Sequence, residues 1–234
     1  MSPLTTTAVA IMAKAPDAGA VKTRLCPPLS PREAAALARC FLRDRVAQVR
    51  ALAGVTPVIA FTPASERGVF QRVTPDFTLI DQHGNDLGAR MRSTLATLLA
   101  AGHPATIAIG TDTPTLPTAV LQHAVDRLAS PDVDIVLGPA DDGGYYLIGV
   151  RADHPMLFDD MPWSTSKVLE ITLRRARAAG LRTVCVSSWF DVDTPDDLAR
   201  LRSALIENPH AAPATRRFLE RQAACRLRRE TSRR

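Results

Sequence analysis

The chain has 234 residues, 46% hydrophobic and 23% charged, with a formal net charge of +5. That suits one sizeable α/β domain, and no apolar run reaches the roughly 18 residues that a membrane span needs. Eight arginines between Arg216 and Arg234 stand against Glu220 and Glu230, a net +6 that leaves residues 1–215 near neutral at −1, so the basicity belongs to a C-terminal tail. With Phe218 as its one aromatic, the tail offers no stacking platform for nucleic acid and reads as a solvated end.

The chain opens with a short polar lead, without a basic region or cleavage site, which predicts a cytoplasmic protein. Residues 7–13 (TAVAIMA) then read as a buried strand. Ser30-Pro31-Arg32-Glu33 has the form of a capping box and starts a helix that runs to about Leu52. Strands are predicted at 56–61, 77–80, 105–109, 133–137, 145–150 and 182–187. Helices are predicted near 87–101, 117–129, 165–179 and 195–206, and again from 213. Apolar strands alternating with amphipathic helices predict a doubly wound, mostly parallel sheet with helices on both faces, one domain over 1–210 and the basic tail over 211–234. Cys40 and Cys185 lie in apolar periodic segments and read as core thiols, and no cysteine or histidine spacing suggests zinc or a disulfide framework.

In such sheets ligands collect at the carboxyl ends of the strands, and six polar segments fall there. After the first strand, Gly19, Lys22, Thr23 and Arg24 bring a flexible backbone, a hydroxyl and two cations, a set suited to phosphates. Pro16 and Val21 stand where a P-loop needs glycine, so the loop is not one. Gln82, Asp86, Gly88 and Arg90 follow the third strand, where two glycines four apart let backbone approach a flat ligand; helix capping explains Asp86 equally well. Asp112 sits just past strand 105–109, well placed for a Mg²⁺ bridging phosphate oxygens, or simply for a turn before Pro114.

The adjacent carboxylates Asp141 and Asp142 precede Gly143, Gly144 and Tyr145; unless a cation or donor compensates them, their proximity is costly. Trp163, Ser164 and Thr165 offer a ring and hydroxyls to an acceptor, or a buried ring and a helix cap. Asp191 and Asp193 alternate on an extended stretch and so share a side, while Thr194, Pro195 and Asp197 read as the cap of the next helix.

The ordered set A-P-D-A-G-A-V-K-T-R-L, G-N-D-L-G-A-R-M, G-T-D-T-P-T-L-P, G-P-A-D-D-G-G-Y-Y-L-I-G, W-S-T and D-V-D-T-P-D-D-L resembles a bacterial family of GT-A-type glycosyltransferases of unknown function, labelled radical-SAM/selenodomain-associated transferases. The resemblance runs from about Val9 to about Leu201. More distantly, the chain is similar to the nucleotidyltransferases that make molybdopterin guanine dinucleotide and the guanylyl intermediate of coenzyme F420.

The resemblance implies a Rossmann-like GT-A fold that uses a nucleotide-activated donor, a small-molecule acceptor and Mg²⁺ or Mn²⁺. Gly19, Lys22, Thr23 and Arg24 would hold the phosphates, with Gln82, Asp86, Gly88 and Arg90 also on the nucleotide. Asp112 with Asp191 or Asp193 would hold the metal. Lys22, Arg24 and Asp142 are the catalytic candidates; Gly143, Gly144, Tyr145, Trp163, Ser164 and Thr165 are the acceptor candidates. Glycosyl transfer from a nucleotide sugar is the first expectation. Nucleotidyl transfer from a triphosphate to a small phosphorylated or carboxylated acceptor is the alternative, and a catalytically silent nucleotide-binding module is the third. The opening loop is poorer in glycine than in the nucleotidyltransferases, and the acidic site is T-D-T where sugar transferases commonly have D-x-D.

Overall fold

The computed structural model describes residues 6–231, with side chains through Cys225; the polar lead at 1–5 and the arginine side chains of the tail beyond Arg221 lie outside the described residues. Seven strands form one sheet: β1 (Thr7–Lys14), β2 (Val55–Thr62), β3 (Thr78–Asp81), β4 (Thr106–Ile109), β5 (Ile135–Pro139), β6 (Tyr145–Val150) and β7 (Thr183–Cys185). Their spatial order is β3-β2-β1-β4-β6-β5-β7. All neighbours are parallel except β6, which runs antiparallel to both β4 and β5. The exception has a local cause: β5 reaches β6 through a short turn, which makes a hairpin, whereas parallel neighbours need a longer crossover.

The helices are α1 (Pro31–Arg50), α2 (Arg67–Val73), α3 (Leu87–Ala100), α4 (Thr118–Ala129), α5 (Val168–Ala178), α6 (Pro195–Glu207) and α7 (Pro213–Thr231). Among the described residues no helix is long and apolar enough to cross a membrane. The capping boxes predicted for α1 and α6 are present, with Ser30 and Glu33 bonding reciprocally at one and Thr194 and Asp197 at the other. Side chains alternate along the strands, so Val9 and Ile11 join a core with Ile59, Phe61, Ile107 and Ile109, while Ala8 and Ala10 face Leu98 of α3.

The sequence reading is corrected at four points. Helix α2 was not predicted; it has seven residues and buries only Phe70, too little for a periodic signal. Strand β7 has three residues where six were predicted, and Cys185 is exposed, because an edge strand pairs on one side alone. Helix α5 starts at Val168, leaving Thr165 in the preceding loop behind Ser164, whose φ is 64°. The tail is not a solvated end over its described part. Helix α7 packs on α1, burying Thr215, Leu219 and Gln222, and Asp44 of α1 accepts hydrogen bonds from the Ala214 and Thr215 backbone amides at 2.8 and 2.9 Å. A carboxylate from another helix thus caps α7, which complements its positive N-terminal end.

Candidate active site

Strands β1 and β4 are neighbours whose chains depart in opposite directions, β1 toward β2 and β4 toward β6. The loops after them therefore part and leave a crevice at the carboxyl edge of the sheet. Five of the six polar segments leave this edge, and the sixth, around Trp163, returns to it after β6 on the way into α5. Two groups form there.

The first group is acidic with one cation. Lys22 has φ 49°, ψ 36°, a left-handed kink that turns its side chain inward from the loop after β1. Its ammonium is 2.7 Å from Asp112 Oδ1 and 2.8 Å from Asp193 Oδ1, and it donates to the Val192 carbonyl at 2.9 Å. The lysine side chain is 6% exposed, while the two carboxylates are 42% and 40% exposed. The Val192 amide in turn donates to the Asp112 carbonyl at 2.9 Å, stitching the loop after β7 to the loop after β4. Burial pulls the Lys22 pKa down, but the charges of Asp112 and Asp193 outweigh it and the net shift is upward. The ammonium is firmly charged.

Asp191 faces the same space. Burial, then the charges of Asp112, Asp142 and Asp193, push its carboxyl up to about 7 against the pull of Lys22. Four acidic groups thus share one neighbourhood with one close ammonium, and Asp191 carries the penalty. A carboxyl raised in the fold from 3.8 to about 7 loses stability for the fold as pH rises between those values. In metal-free buffer, Asp191→Asn is expected to match the wild type near pH 4 and to exceed its unfolding free energy at pH 8 by on the order of 2–4 kcal/mol, read by urea titration. Equal stability at both pH values would contradict this account.

Carboxylate oxygens are the hard donors that Mg²⁺ or Mn²⁺ takes, so the chemistry of the set fits such an ion. The three carboxylates expected as ligands are not, however, gathered into a ready-made cluster: among the described residues no three His, Cys, Asp or Glu groups stand so as to hold a metal ion. Asp112 and Asp193 instead form a fork closed by Lys22. Lys22 was expected to reach phosphates, and in this arrangement it is committed to the fork.

Two residues that no sequence motif marks, the buried Arg45 and the half-buried Gln48, support the fork. Arg45, in the middle of α1, is 1% exposed and donates to the Thr113 carbonyl at 2.9 Å, to the Thr113 hydroxyl, and to Gln48 Oε1 at 2.8 Å. Burial lowers its pKa to about 10 against the opposing charges of Tyr146, Asp112 and Asp191, so it stays protonated at neutral pH beneath the acidic group. Gln48 Nε2 donates to the Leu116 carbonyl, so α1 pins both ends of the 113–116 turn. No local signal marks either residue, since an arginine and a glutamine inside a helix ordinarily face water.

The second group joins three segments. Trp163 packs over Gly88, where a β-carbon would lie 2.2 Å from the indole, and its ring meets Tyr145 edge-on at 6.4 Å. Gly143 (φ 88°) lies against the Ser166 backbone and accepts the Leu169 amide at 2.9 Å. Gly143→Ala is expected to cost about 3 kcal/mol or more, because the new β-carbon would lie 2.2 Å from the Ser166 carbonyl oxygen at a backbone angle alanine avoids; thermal unfolding would read it, with Gly19→Ala, which has open space, as the milder comparison.

Tyr145 is largely buried with its hydroxyl toward Thr172 of α5, so its ring and backbone border this space. The Gln82 amide nitrogen is spent on the Ala13 and Ala60 carbonyls, Asp86 caps α3 through the Ala89 amide, and Arg90 closes its loop on the Gly84 carbonyl. Those side chains build the loop. The two adjacent carboxylates find compensation: Asp141 pairs with Arg200 at 2.7 Å, and Asp142 accepts the Gly144 amide at 2.8 Å. Thr23 and Arg24 are exposed in a single 3-10 turn, and Gly19 has φ 81°. Ser164 is exposed, and the Thr165 hydroxyl donates to the Pro162 carbonyl.

The family model described as "Uncharacterized protein conserved in bacteria (DUF2064)" matches residues 45–165, just over half of the chain. The chain belongs to the DUF2064 family. It is 32% identical over 202 residues to a 2-phospho-L-lactate guanylyltransferase of Methanoregula boonei, a match covering 85% of this chain and 82% of that protein. A second 2-phospho-L-lactate guanylyltransferase, from Haloarcula marismortui, is 29% identical over 77% of this chain and 79% of its own length. Among solved structures, one described as a nucleotide-diphospho-sugar transferase from Desulfovibrio desulfuricans superposes with a TM-score of 0.86 at 31% identity, covering 93% of this chain and 95% of that one. This DUF2064 chain therefore has the α/β fold of the nucleotide-diphospho-sugar transferases, as the motifs had implied.

Proposed function

We propose that this chain is a transferase using a nucleotide-activated donor, and specifically a nucleotidyltransferase that moves a nucleoside monophosphate from a triphosphate to a small phosphorylated or carboxylated acceptor. The observation that carries the reading is the 32% identity to a guanylyltransferase over most of both chains, which favours GTP as donor and an acceptor resembling 2-phospholactate. Glycosyl transfer, the first expectation, has less support: it leans on the name of the structural neighbour from Desulfovibrio desulfuricans, and Asp112 stands alone on its loop, without the second carboxylate of a D-x-D pair.

In the proposed reaction an acceptor oxygen attacks the α-phosphorus in line, the bond from that phosphorus to the bridging oxygen breaks, and pyrophosphate leaves. Asp112 and Asp193 are the residues that would hold Mg²⁺ or Mn²⁺, which when bound would neutralise charge on the phosphates. Lys22, and Arg24 beside it, supply fixed positive charge at the edge where the leaving pyrophosphate gains negative charge. The surface around Gly143, Tyr145 and Trp163 would face the acceptor, and Asp142 beside it would orient the attacking group.

The test is pyrophosphate release from GTP, ATP, CTP or UTP with Mg²⁺ and 2-phospho-L-lactate, beside nucleoside diphosphate release from UDP-glucose and GDP-mannose. Acceptor-dependent pyrophosphate release from one triphosphate is the expected result. Release of nucleoside diphosphate from a nucleotide sugar, with no pyrophosphate from any triphosphate, would restore glycosyl transfer. Silence in every arm would leave a non-catalytic nucleotide-binding module.

A further inference from the structure

Helices α1 and α7 enclose a second concave region, remote in chemistry from the acidic crevice. It is a cleft of about 470 Å³ lined by Ala36, Arg39, Cys40 and Arg43 of α1 and by Ala214, Arg217, Phe218 and Arg221 of α7. Arg39 and Arg43 are four residues apart on one helix, as are Arg217 and Arg221 on the other, so each pair shares a helix face. Like charges at this spacing destabilise a helix, and here two such pairs border one cleft.

Nothing among the described residues neutralises them. None of the four arginines forms an ion pair with any described acidic group. The nearby carboxylates are committed elsewhere: Asp44 caps α7, Glu33 bonds Ser30 and Gln222, and Glu220 pairs with Arg216. Arg39 spends one N–H on the Pro16 carbonyl and Arg217 one on the Pro213 carbonyl. A guanidinium has five, so most donors of the four remain for a ligand.

We propose that the cleft between α1 and α7 is a binding site for a compact, phosphate-dense anion, held by Arg39, Arg43, Arg217 and Arg221 over a floor that includes Cys40 and Phe218. Arginine's planar fork suits phosphate oxygens, and the cleft volume of about 470 Å³ is of the size small ligands occupy. The small size of this half-open cleft and its single aromatic favour a small polyphosphate over a nucleic-acid strand, which needs several stacking rings. The site is independent of the proposed transfer reaction. It has structural links to the crevice nonetheless, since Arg39 holds the Pro16 carbonyl in the loop that carries Lys22, and Arg45 of the same helix holds Thr113 beside Asp112.

Cys40 provides the readout, because it lines the cleft while Cys185 is exposed on the edge strand β7. The experiment alkylates the full chain with N-ethylmaleimide and follows each cysteine by peptide mass spectrometry, with and without sodium tripolyphosphate, in metal-free buffer. At about 1 mM tripolyphosphate and about 150 mM NaCl, alkylation of Cys40 is expected to slow by about fivefold or more, with Cys185 unchanged. The protection should persist in Lys22→Met and disappear in Arg43→Gln/Arg221→Gln. No protection, or equal protection in the double arginine variant, would overturn the proposal. Loss of protection in Lys22→Met would also overturn it, by placing the anion at the loop after β1. Protection by a short RNA but not by tripolyphosphate would replace it with a nucleic-acid site.

Discussion

Replacing Lys22 by methionine is expected to reduce transfer by about 10²–10³-fold, the usual loss when one fixed charge is removed from the place where transition-state charge develops. Methionine retains much of the volume of the lysine stem, so the change tests the ammonium rather than the packing. The same variant should unfold more readily in metal-free buffer, because Asp112 and Asp193 would face each other and Asp191 with no close counter-charge. The two paired carboxylates are about 40% exposed, so water recovers part of the loss, and about 1–2 kcal/mol is the expected cost. Added Mg²⁺ should raise the melting temperature of the variant more than that of the wild type, since the fork is then free of its ammonium. Undiminished pyrophosphate release by Lys22→Met would remove this residue from the proposed mechanism.

Arg45→Met should have the largest effect on stability, a loss on the order of 3–5 kcal/mol in urea unfolding. The guanidinium is buried and remains charged, and it satisfies the Thr113 carbonyl, the Thr113 hydroxyl and Gln48 together. Removing it strands those acceptors and takes the positive charge from beneath Asp112 and Asp191. Arg45→Lys keeps the charge but offers a single ammonium in place of a planar fork, so it should recover only part of the loss. The lysine variant should also transfer more slowly than its stability implies, because the turn at 113–116 fixes where Asp112 points. If Arg45→Met unfolds at the wild-type urea concentration, the guanidinium is not the support described above.

The expected costs of Lys22→Met and Arg45→Met come from different levels of organisation. Lys22 was visible in the sequence, since a lysine, a threonine and an arginine cluster just past a buried strand, and strand ends are where parallel sheets present chemistry. What it contacts was not visible. Asp112 and Asp193 lie 90 and 171 positions further on, and only the β1–β4 adjacency and the return of the chain after β7 bring them to one ammonium. Arg45 and Asp44 were not marked at all. Adjacent charged residues in the middle of a helix look like a solvated face, and they are buried because α7 settles over Asp44 and the loop after β4 settles over Arg45.

Local chemistry alone specified the alternation of strand and helix, the capping boxes at Ser30 and Thr194, and five of the six polar segments at strand ends. Backbone hydrogen bonding, hydrophobic periodicity and cap geometry act over a few residues, so they can be read from neighbours. The tertiary structure alone decided which segments meet. It assigned Gln82, Asp86 and Arg90 to holding their own loop, fixed the Lys22 ammonium between Asp112 and Asp193, and turned the basic tail from a free end into one wall of an arginine-lined cleft. Electrostatic energy depends on distance in space and on burial, and the order of residues along the chain specifies neither until the sheet has assembled.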